Sequence, residues 1–189
     1  MNPPPHAPRR RWLRQAASTT LALALPGLSA TARATAFATA RPERDLAFAH
    51  THTGERLSLV YAVGDRYLDD SLFSLNHFLR DHYSGEQGVM DPRLFDLLHR
   101  LRLELDTRQN VEVISAYRSP STNERLRTTR AGGVAKRSLH MDGRAMDIRL
   151  PGVPLADVRQ AALSLRLGGV GYYPREQFVH VDTGPVRHW

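Results

Sequence analysis

Three side chains that are remote in sequence have the chemistry to bind one metal ion. His140 and Asp147 lie on either side of Gly143, and His180 lies near the end of the chain. A catalytic zinc ion typically takes three protein ligands and keeps a fourth position for water, and it accepts imidazole nitrogens and carboxylate oxygens. The pattern therefore predicts a mononuclear zinc site formed by His140, Asp147 and His180.

Alternation of side chains indicates how these residues could meet. Asp147 and His180 each lie in a short segment where apolar and polar residues alternate, which is typical of a strand with one buried face. If the two strands are neighbours, both side chains reach one surface, and a loop through Gly143 folds His140 over it. Asp182 would share the face of His180. The alternative is that each is an ordinary buried polar residue bonded to the backbone, but the glycine and the two alternating strands together favour the metal site.

Length and charge limit what kind of protein this is. The chain has 189 residues, enough for one domain of ordinary size after a leader. Its formal net charge is +7, but residues 1–34 contain five arginines and no acidic residue. The remainder has 21 basic against 19 acidic residues, which is too balanced for a protein that binds the phosphate backbone of nucleic acids. The absence of cysteine excludes disulfides and thiolate metal sites.

Residues 1–34 have the features of an export signal. A basic segment is followed by an apolar run rich in alanine and threonine and then by small residues. The pair Arg10 and Arg11, followed by an aromatic residue and a leucine, resembles the twin-arginine export signal. The apolar run is too short for a bilayer, which needs about 20 residues. Cleavage is expected between about residues 32 and 40, after Ala32, Ala34 or Ala40, each of which ends an Ala-x-Ala triplet, leaving a mature domain at 41–189.

The mature part of the chain is predicted to be a compact arrangement of strands and helices without long linkers. Alternating segments around Thr53-Gly54-Glu55 predict a β-hairpin. Asp91-Pro92 predicts a helix N-terminus, and the leucines that follow at helical spacing indicate core packing. Further helices are predicted at about 71–81, 121–130 and 154–167, and further strands at 111–117, 145–150, 170–173 and 178–182.

Other histidines are weaker candidates for metal binding. His50 and His52 fall on one face of a predicted strand, but no third ligand follows at a useful spacing. Histidines on a strand surface are the simpler interpretation. His77 and His82, near the first predicted helix, are expected to be solvated rather than to bind metal.

Arg118 lies just beyond the strongest predicted strand, a position from which a rigid scaffold can present a side chain. A guanidinium there could clamp a substrate carboxylate in a bidentate pair. It could equally pair with Glu124, which together with Ser121 forms a predicted capping box at the start of the next helix. Spacing alone leaves both roles open.

Four stretches of the chain resemble one protein family: 115–123, 134–149, 168–173 and 178–187. They are similar to the YcbK-like murein endopeptidases, a branch of the zinc peptidases named for lysostaphin, D-Ala-D-Ala metallopeptidases and sonic hedgehog. The similarity extends from about His52 to Trp189, and the order and spacing of the four motifs argue against chance.

The resemblance implies a small α+β fold with a central, mainly antiparallel sheet and helices packed around it. It implies one zinc ion held by His140, Asp147 and His180, with Arg118 facing the substrate. Many relatives carry a glutamate three residues before the second zinc histidine, or a histidine two residues before it. Here those positions hold Gln177 and Phe178. Glu176 is one place off and would point away if the strand has already begun. Asp182 is therefore the candidate for the general base or for the group that orients His180.

The function implied is zinc-dependent hydrolysis of amide bonds in the peptide cross-links of peptidoglycan. Two alternatives remain: a carboxypeptidase that trims stem peptides, and a non-catalytic zinc-containing module that binds the cell wall. Peptidoglycan stems are then the expected partners, and nucleic acid is not. The export signal predicts a periplasmic protein without stable membrane insertion after cleavage, and a monomer is expected.

Overall fold

One mixed sheet of eight strands organises the part of the chain that the structure, a computed structural model, describes, which is residues 41–129 and 134–189. The strands are β1 (Glu43–His50), β2 (Arg56–Val63), β3 (Arg66–Tyr67), β4 (Val111–Ser115), β5 (Ala145–Arg149), β6 (Gly169–Tyr173), β7 (Phe178–Asp182) and β8 (Arg187–His188). The helices of this part are α1 (Asp69–Phe78), α2 (Pro92–Glu104), α3 (Pro120–Thr129) and α4 (Leu155–Leu165).

The strand order in the sheet is β3-β2-β1-β4-β5-β7-β6-β8. Most neighbours are antiparallel, and the parallel pairs are β1 with β4 and β6 with β8. The predicted α+β class with a mainly antiparallel sheet is confirmed, as is the hairpin, which consists of β1 and β2. The two-residue strands β3 and β8 were not predicted, because two residues are too few to show alternation.

Helix α2 supplies much of the hydrophobic core. Asp91 caps it as predicted, since its carboxylate accepts a hydrogen bond from the backbone N–H of Arg93. The predicted stripe is buried, and it includes Leu94, Leu98 and Leu101. Burying one such side chain contributes roughly 1.5–3 kcal/mol. The helix therefore anchors the chain that precedes β4.

The central strands β5 and β7 are buried on both faces. On one face Met146 and Ile148 of β5 and Val179 and Val181 of β7 are fully buried in the core. The antiparallel register pairs Asp147 with His180 on the other face. The alternation in the sequence thus places these two polar side chains side by side, as predicted.

The predicted N-cap of α3 is wrong. The capping residue of α3 is Ser119 and not Ser121, because the Ser119 hydroxyl accepts the backbone N–H of Thr122 and Pro120 occupies the first helical turn. Ser119 and Ser121 flank Pro120 in the sequence. Because proline is favoured in the first turn of a helix, Ser119 is the residue that caps α3.

The predicted export signal lies outside the described residues. None of the helices in the described ranges is long and apolar enough to cross a membrane.

Candidate metal centre

A tight turn brings His140 to the paired strands. Gly143 adopts a φ of 66°, and its N–H donates to the His140 carbonyl at 3.3 Å. A Cβ at Gly143 would lie 2.0 Å from the carbonyl oxygen of Val89. The position therefore requires glycine for its backbone angle and for the close approach of the backbone at Val89. This turn is what places His140 over the sheet.

Three donor atoms converge within this site. The distance from His180 Nδ1 to Asp147 Oδ1 is 2.9 Å, and His140 Nε2 lies 3.3 Å from each of those atoms. Tetrahedral ligands at about 2.0–2.1 Å from zinc are separated by about 3.4 Å. Within the described residues these side chains are the one group of three or more potential ligands with such geometry.

The outer nitrogen of each imidazole is already bonded, which fixes the tautomers. His140 Nδ1 lies 2.7 Å from the carbonyl oxygen of Ala116, and His180 Nε2 lies 3.1 Å from Asp182 Oδ2. A carbonyl or carboxylate oxygen only accepts, so these nitrogens carry the protons. In the neutral rings the inner nitrogens are therefore bare. Two imidazole lone pairs and a carboxylate oxygen face one point, and this donor set fits a metal cation.

Electrostatics at the site favour positive charge. Burial alone would lower the pKa of His180, but hydrogen bonds with Asp147 and Asp182 outweigh burial and raise the pKa to about 9. Burial alone would raise the pKa of Asp147, but the neighbouring His140 and His180 hold it below its usual range. Both shifts describe the same preference for a cation beside a buried carboxylate.

Asp182 is fully buried behind His180 and is saturated with donors. Its Oδ2 contacts His180 Nε2 and accepts from Arg187 Nη2 at 2.7 Å. Its Oδ1 accepts from the backbone N–H groups of Gly169 and Gly184 and from Arg187 Nη1, at 2.8–3.1 Å. Burial would raise the pKa of Asp182, but these hydrogen bonds lower it. The geometry is that of a carboxylate that orients a metal-binding imidazole.

A cavity of about 310 Å³ opens onto the three donors. Part of its wall is cationic, formed by Arg118, Arg137 and Arg187. Another part is aromatic, formed by Tyr173, Phe178 and Trp189. The donor atoms can therefore be reached by a ligand that carries both negative charge and apolar surface.

Comparison with known proteins identifies the family. Residues 38–189 match the family model described as peptidoglycan L,D-endopeptidase MepK. The chain belongs to the MepK family. It is 50% identical over 151 residues to the peptidoglycan L,D-endopeptidase MepK of Escherichia coli, an alignment that covers 80% of this chain and 82% of that protein. The Shigella flexneri protein of the same name shows the same identity and coverage.

A more distant relative extends this result. The Haemophilus influenzae protein named "Probable peptidoglycan L,D-endopeptidase MepK" is 45% identical over 147 residues, which is 77% of this chain and 78% of that protein. No solved structure matches the chain. The family predicted from the four motifs is confirmed, and the candidate metal centre is therefore that of a MepK family member.

Arg118 lines the cavity of this MepK family member. Its backbone N–H donates to the His140 carbonyl at 3.1 Å, and its Nη1 donates to Asn123 Oδ1 at 3.4 Å. Glu124, the alternative partner suggested by spacing, forms its ion pair with Arg127. The strand end thus presents Arg118 beside a candidate metal ligand.

Several residues of the cavity were missed in the sequence. Arg187 follows Asp182 across a Gly-Pro turn, a spacing that could have suggested the return of its guanidinium onto that carboxylate. Trp189 packs its ring 5.2 Å from that of His180 and donates its Nε1–H to the Tyr173 hydroxyl. Glu176 was expected to point away if the strand had begun there. The strand begins at Phe178, and Glu176 lines the cavity.

The other histidines considered as ligands, His50, His52, His77 and His82, lie outside the candidate metal centre. His50 is buried, with 2% of its surface exposed, and its Nδ1 accepts the backbone N–H of His52 within the hairpin turn. The rings of His52 and His82 stack at 4.2 Å, so His82 packs against the hairpin rather than being solvated. Stacked parallel rings do not aim two nitrogens at one ion. These residues serve the hairpin turn and its packing.

Proposed function

We propose that the chain is a zinc-dependent endopeptidase that hydrolyses amide bonds in the peptide cross-links of peptidoglycan. The observation that carries this proposal is the convergence of two imidazole nitrogens and a carboxylate oxygen at the floor of an open cavity, in a chain of the MepK family. The names of the relatives indicate the substrate class, and the donor atoms at the cavity support metal-assisted hydrolysis.

The zinc ion would be held by His140 Nε2, Asp147 Oδ1 and His180 Nδ1. When bound, such an ion polarises a scissile carbonyl and lowers the pKa of a bound water to about 7. Imidazole and carboxylate ligands with one open side suit a catalytic rather than a structural zinc. The cavity provides that open side, because it opens onto the three donor residues.

Asp182 acts in this proposal by orienting His180. Both of its oxygens are bonded and it has no exposed surface, so it does not meet a water molecule in the cavity. It keeps the proton on His180 Nε2 and thereby keeps the Nδ1 lone pair directed at the ion. Of the two roles predicted for Asp182, the contacts favour orientation over general base.

Arg118 binds a carboxylate of the peptide stem in this proposal. Peptidoglycan stems carry several carboxylates, and a guanidinium can hold one in a bidentate pair. Arg118 is attached through its own backbone to His140, so a stem held by the guanidinium would lie across the metal centre. Holding the amide in this position supplies part of the rate acceleration.

Incubation of the zinc-loaded protein with purified cross-linked muropeptides tests the proposed function. We expect conversion to un-cross-linked peptides, detected by chromatography and mass spectrometry, and we expect a chelator to stop it. Removal of terminal residues without loss of cross-links would instead identify a carboxypeptidase. Retention on peptidoglycan without any new product would identify a binding module.

A ligand variant separates the role of the metal from other effects. His140→Ala removes one donor and leaves a small cavity, so we expect loss of zinc and of cleavage together. His77→Ala is the matched control, because His77 is exposed on α1. Full cleavage by His140→Ala would contradict the metal mechanism.

We propose further that the protein acts in the periplasm and reaches it by twin-arginine export. The basic segment and the pair Arg10 and Arg11 support this route. Conversion of both arginines to lysine keeps the charge but removes the pair that the export machinery reads. Fractionation should then find the variant in the cytoplasm, and unchanged export would contradict the route.

A further inference from the structure

Asp81 is a buried carboxylate outside the metal centre. It follows α1 and has 1% of its surface exposed. Its Oδ1 accepts the backbone N–H of Tyr83 at 2.9 Å, and its Oδ2 accepts both the backbone N–H and the hydroxyl of Ser119, at 3.0 and 2.8 Å. A buried charge is costly unless it is fully bonded, so this carboxylate has a defined structural purpose.

The hydrogen bonds keep Asp81 ionised. Burial alone would raise its pKa, but hydrogen bonds from Thr122, Ser119 and Tyr83 outweigh burial and lower the pKa to about 2. Ser119 caps α3, so the negative charge also lies at the positive end of that helix. Asp81 therefore ties the segment after α1 to the start of α3.

The segment tied in this way is the one that carries Arg118. Three consecutive backbone N–H groups hold it: that of Tyr117 donates to Leu79 at 3.1 Å, that of Arg118 donates to His140 at 3.1 Å, and that of Ser119 donates to Asp81. The two outer bonds attach to the end of α1 and the residues after it, and the central bond attaches to a candidate metal ligand. The backbone of Arg118 is thus fixed on both sides.

The side chain of Arg118 depends on the same helix. Asn123 of α3 accepts from Arg118 Nη1 and donates its own Nδ2–H to the carbonyl of Ala135 at 3.1 Å. Ala135 lines the cavity. The orientation of α3, set at its first turn by Ser119 and Asp81, therefore reaches both the guanidinium and the cavity wall.

We infer that Asp81 is a positioning residue that holds Arg118 in place for binding the carboxylate of the substrate. This inference rests on the substrate-binding role proposed above for Arg118. Asp81 does not touch the substrate. It acts through Ser119, and its loss affects substrate binding and alignment without affecting the metal.

The test is Asp81→Asn in the full, zinc-loaded protein, assayed on cross-linked muropeptides. An asparagine offers one acceptor oxygen, so its NH₂ group must face a donor at either Tyr83 or Ser119. We expect kcat/KM to fall by about 10–100-fold, as for a small misplacement of a substrate-binding group, with zinc content unchanged. The fall should come mainly from a higher KM.

A second variant distinguishes positioning from general loss of structure. In an Arg118→Ala background the Asp81→Asn change should have no further effect on kcat/KM, because Asp81 acts through the side chain already removed. Asp96→Asn is the matched control. Asp96 also accepts several hydrogen bonds, but its donors are Arg44, Tyr61 and Tyr67 and not residues next to Arg118. We expect that variant to lose stability and keep its KM.

Different failures have different meanings. If Arg118→Ala has the activity of the original protein, the proposed role of Arg118 fails. If Arg118→Ala is impaired and Asp81→Asn is not, only the inference about Asp81 fails. The inference about Asp81 is also overturned if the two changes lower kcat/KM multiplicatively in the double variant. If Asp81→Asn does not fold, Ser119→Ala is tested in its place. This variant removes a single hydroxyl of the same network, and it must also raise KM.

Discussion

Two aspartates in this molecule, Asp147 and Asp96, each gather polar side chains around one carboxylate, two at Asp147 and three at Asp96. The positions of the hydrogens differ between the two clusters. At Asp96 each partner brings a hydrogen: Arg44, Tyr61 and Tyr67 all donate to its carboxylate. At Asp147 the facing nitrogens of His140 and His180 are bare in the neutral rings, because the proton of each neutral ring lies on its outer nitrogen.

This difference separates a structural cluster from a candidate metal site. A carboxylate surrounded by donors is satisfied, and it joins β1, β2, β3 and α2 through side chains alone. A carboxylate facing imidazole lone pairs still requires a cation between them, and without metal a proton on His180 takes that place, because the pKa of His180 is raised to about 9. Both clusters hold polar side chains around one carboxylate, so the direction of each hydrogen bond distinguishes them.

The largest expected effect is the loss of the metal in Asp147→Asn. An amide keeps the volume but loses the charge that balances the ion, so we expect no retained zinc and no cleavage of muropeptides. The metal content is measured by elemental analysis after dialysis.

Asp96→Asn is the control for that change. It should retain one zinc ion per chain and lose about 1–3 kcal/mol of unfolding free energy, because a phenol or guanidinium then faces an amide. Loss of zinc in this variant, or retention in Asp147→Asn, would contradict the distinction between the two clusters.

Sequence patterns predicted the strands and the turn of the candidate metal centre because their signals are local. Alternation around Asp147 and His180 predicted two strands, and Gly143 marked the turn that returns His140. The cap at Asp91 is likewise visible from a neighbouring proline. Each of these features depends on residues a few positions apart. The expectation that one face of each strand is exposed was wrong, because the polar face of β5 and β7 is buried as well.

The Asp96 cluster and Asp81 could not be predicted in this way. The donors of Asp96 come from residues 29 to 52 positions away, and Ser119 lies 38 positions from Asp81. A hydrogen bond between remote residues leaves no spacing in a single sequence. Such partners become visible only when the sheet order is known.

A smaller effect is expected when the orientation of a ligand, rather than the ligand itself, is changed. Asp182→Asn replaces the acceptor behind His180, so zinc affinity should fall by about 10–100-fold while saturating zinc still fills the site. Competition with a chelator measures the affinity, and kcat at saturating zinc should also fall. An unchanged affinity and an unchanged kcat together would remove Asp182 from the metal centre.

The two clusters should also respond differently to pH. Without metal, the pKa of His180 is raised to about 9, so below that pH zinc must displace a proton. Zinc affinity should therefore fall by up to about tenfold for each unit of decrease between pH 8 and pH 6. Burial and Asp96 raise the pKa of Tyr67 to about 12, so the donors at Asp96 keep their hydrogens throughout. Chelator competition at three pH values measures the slope, and a zero slope would contradict proton displacement.

The smallest expected effect is that of Tyr67→Phe, which removes one of the three donors at Asp96. The carboxylate still accepts from Arg44 and Tyr61, and the ring that packs beside Tyr61 is kept. We expect a loss of about 1–2 kcal/mol in unfolding free energy, measured by urea denaturation with an unchanged slope. Zinc affinity and kcat/KM should be those of the original protein. A change in either would show that the Asp96 cluster and the metal centre are coupled, since the strands of both belong to one sheet and share one hydrophobic core.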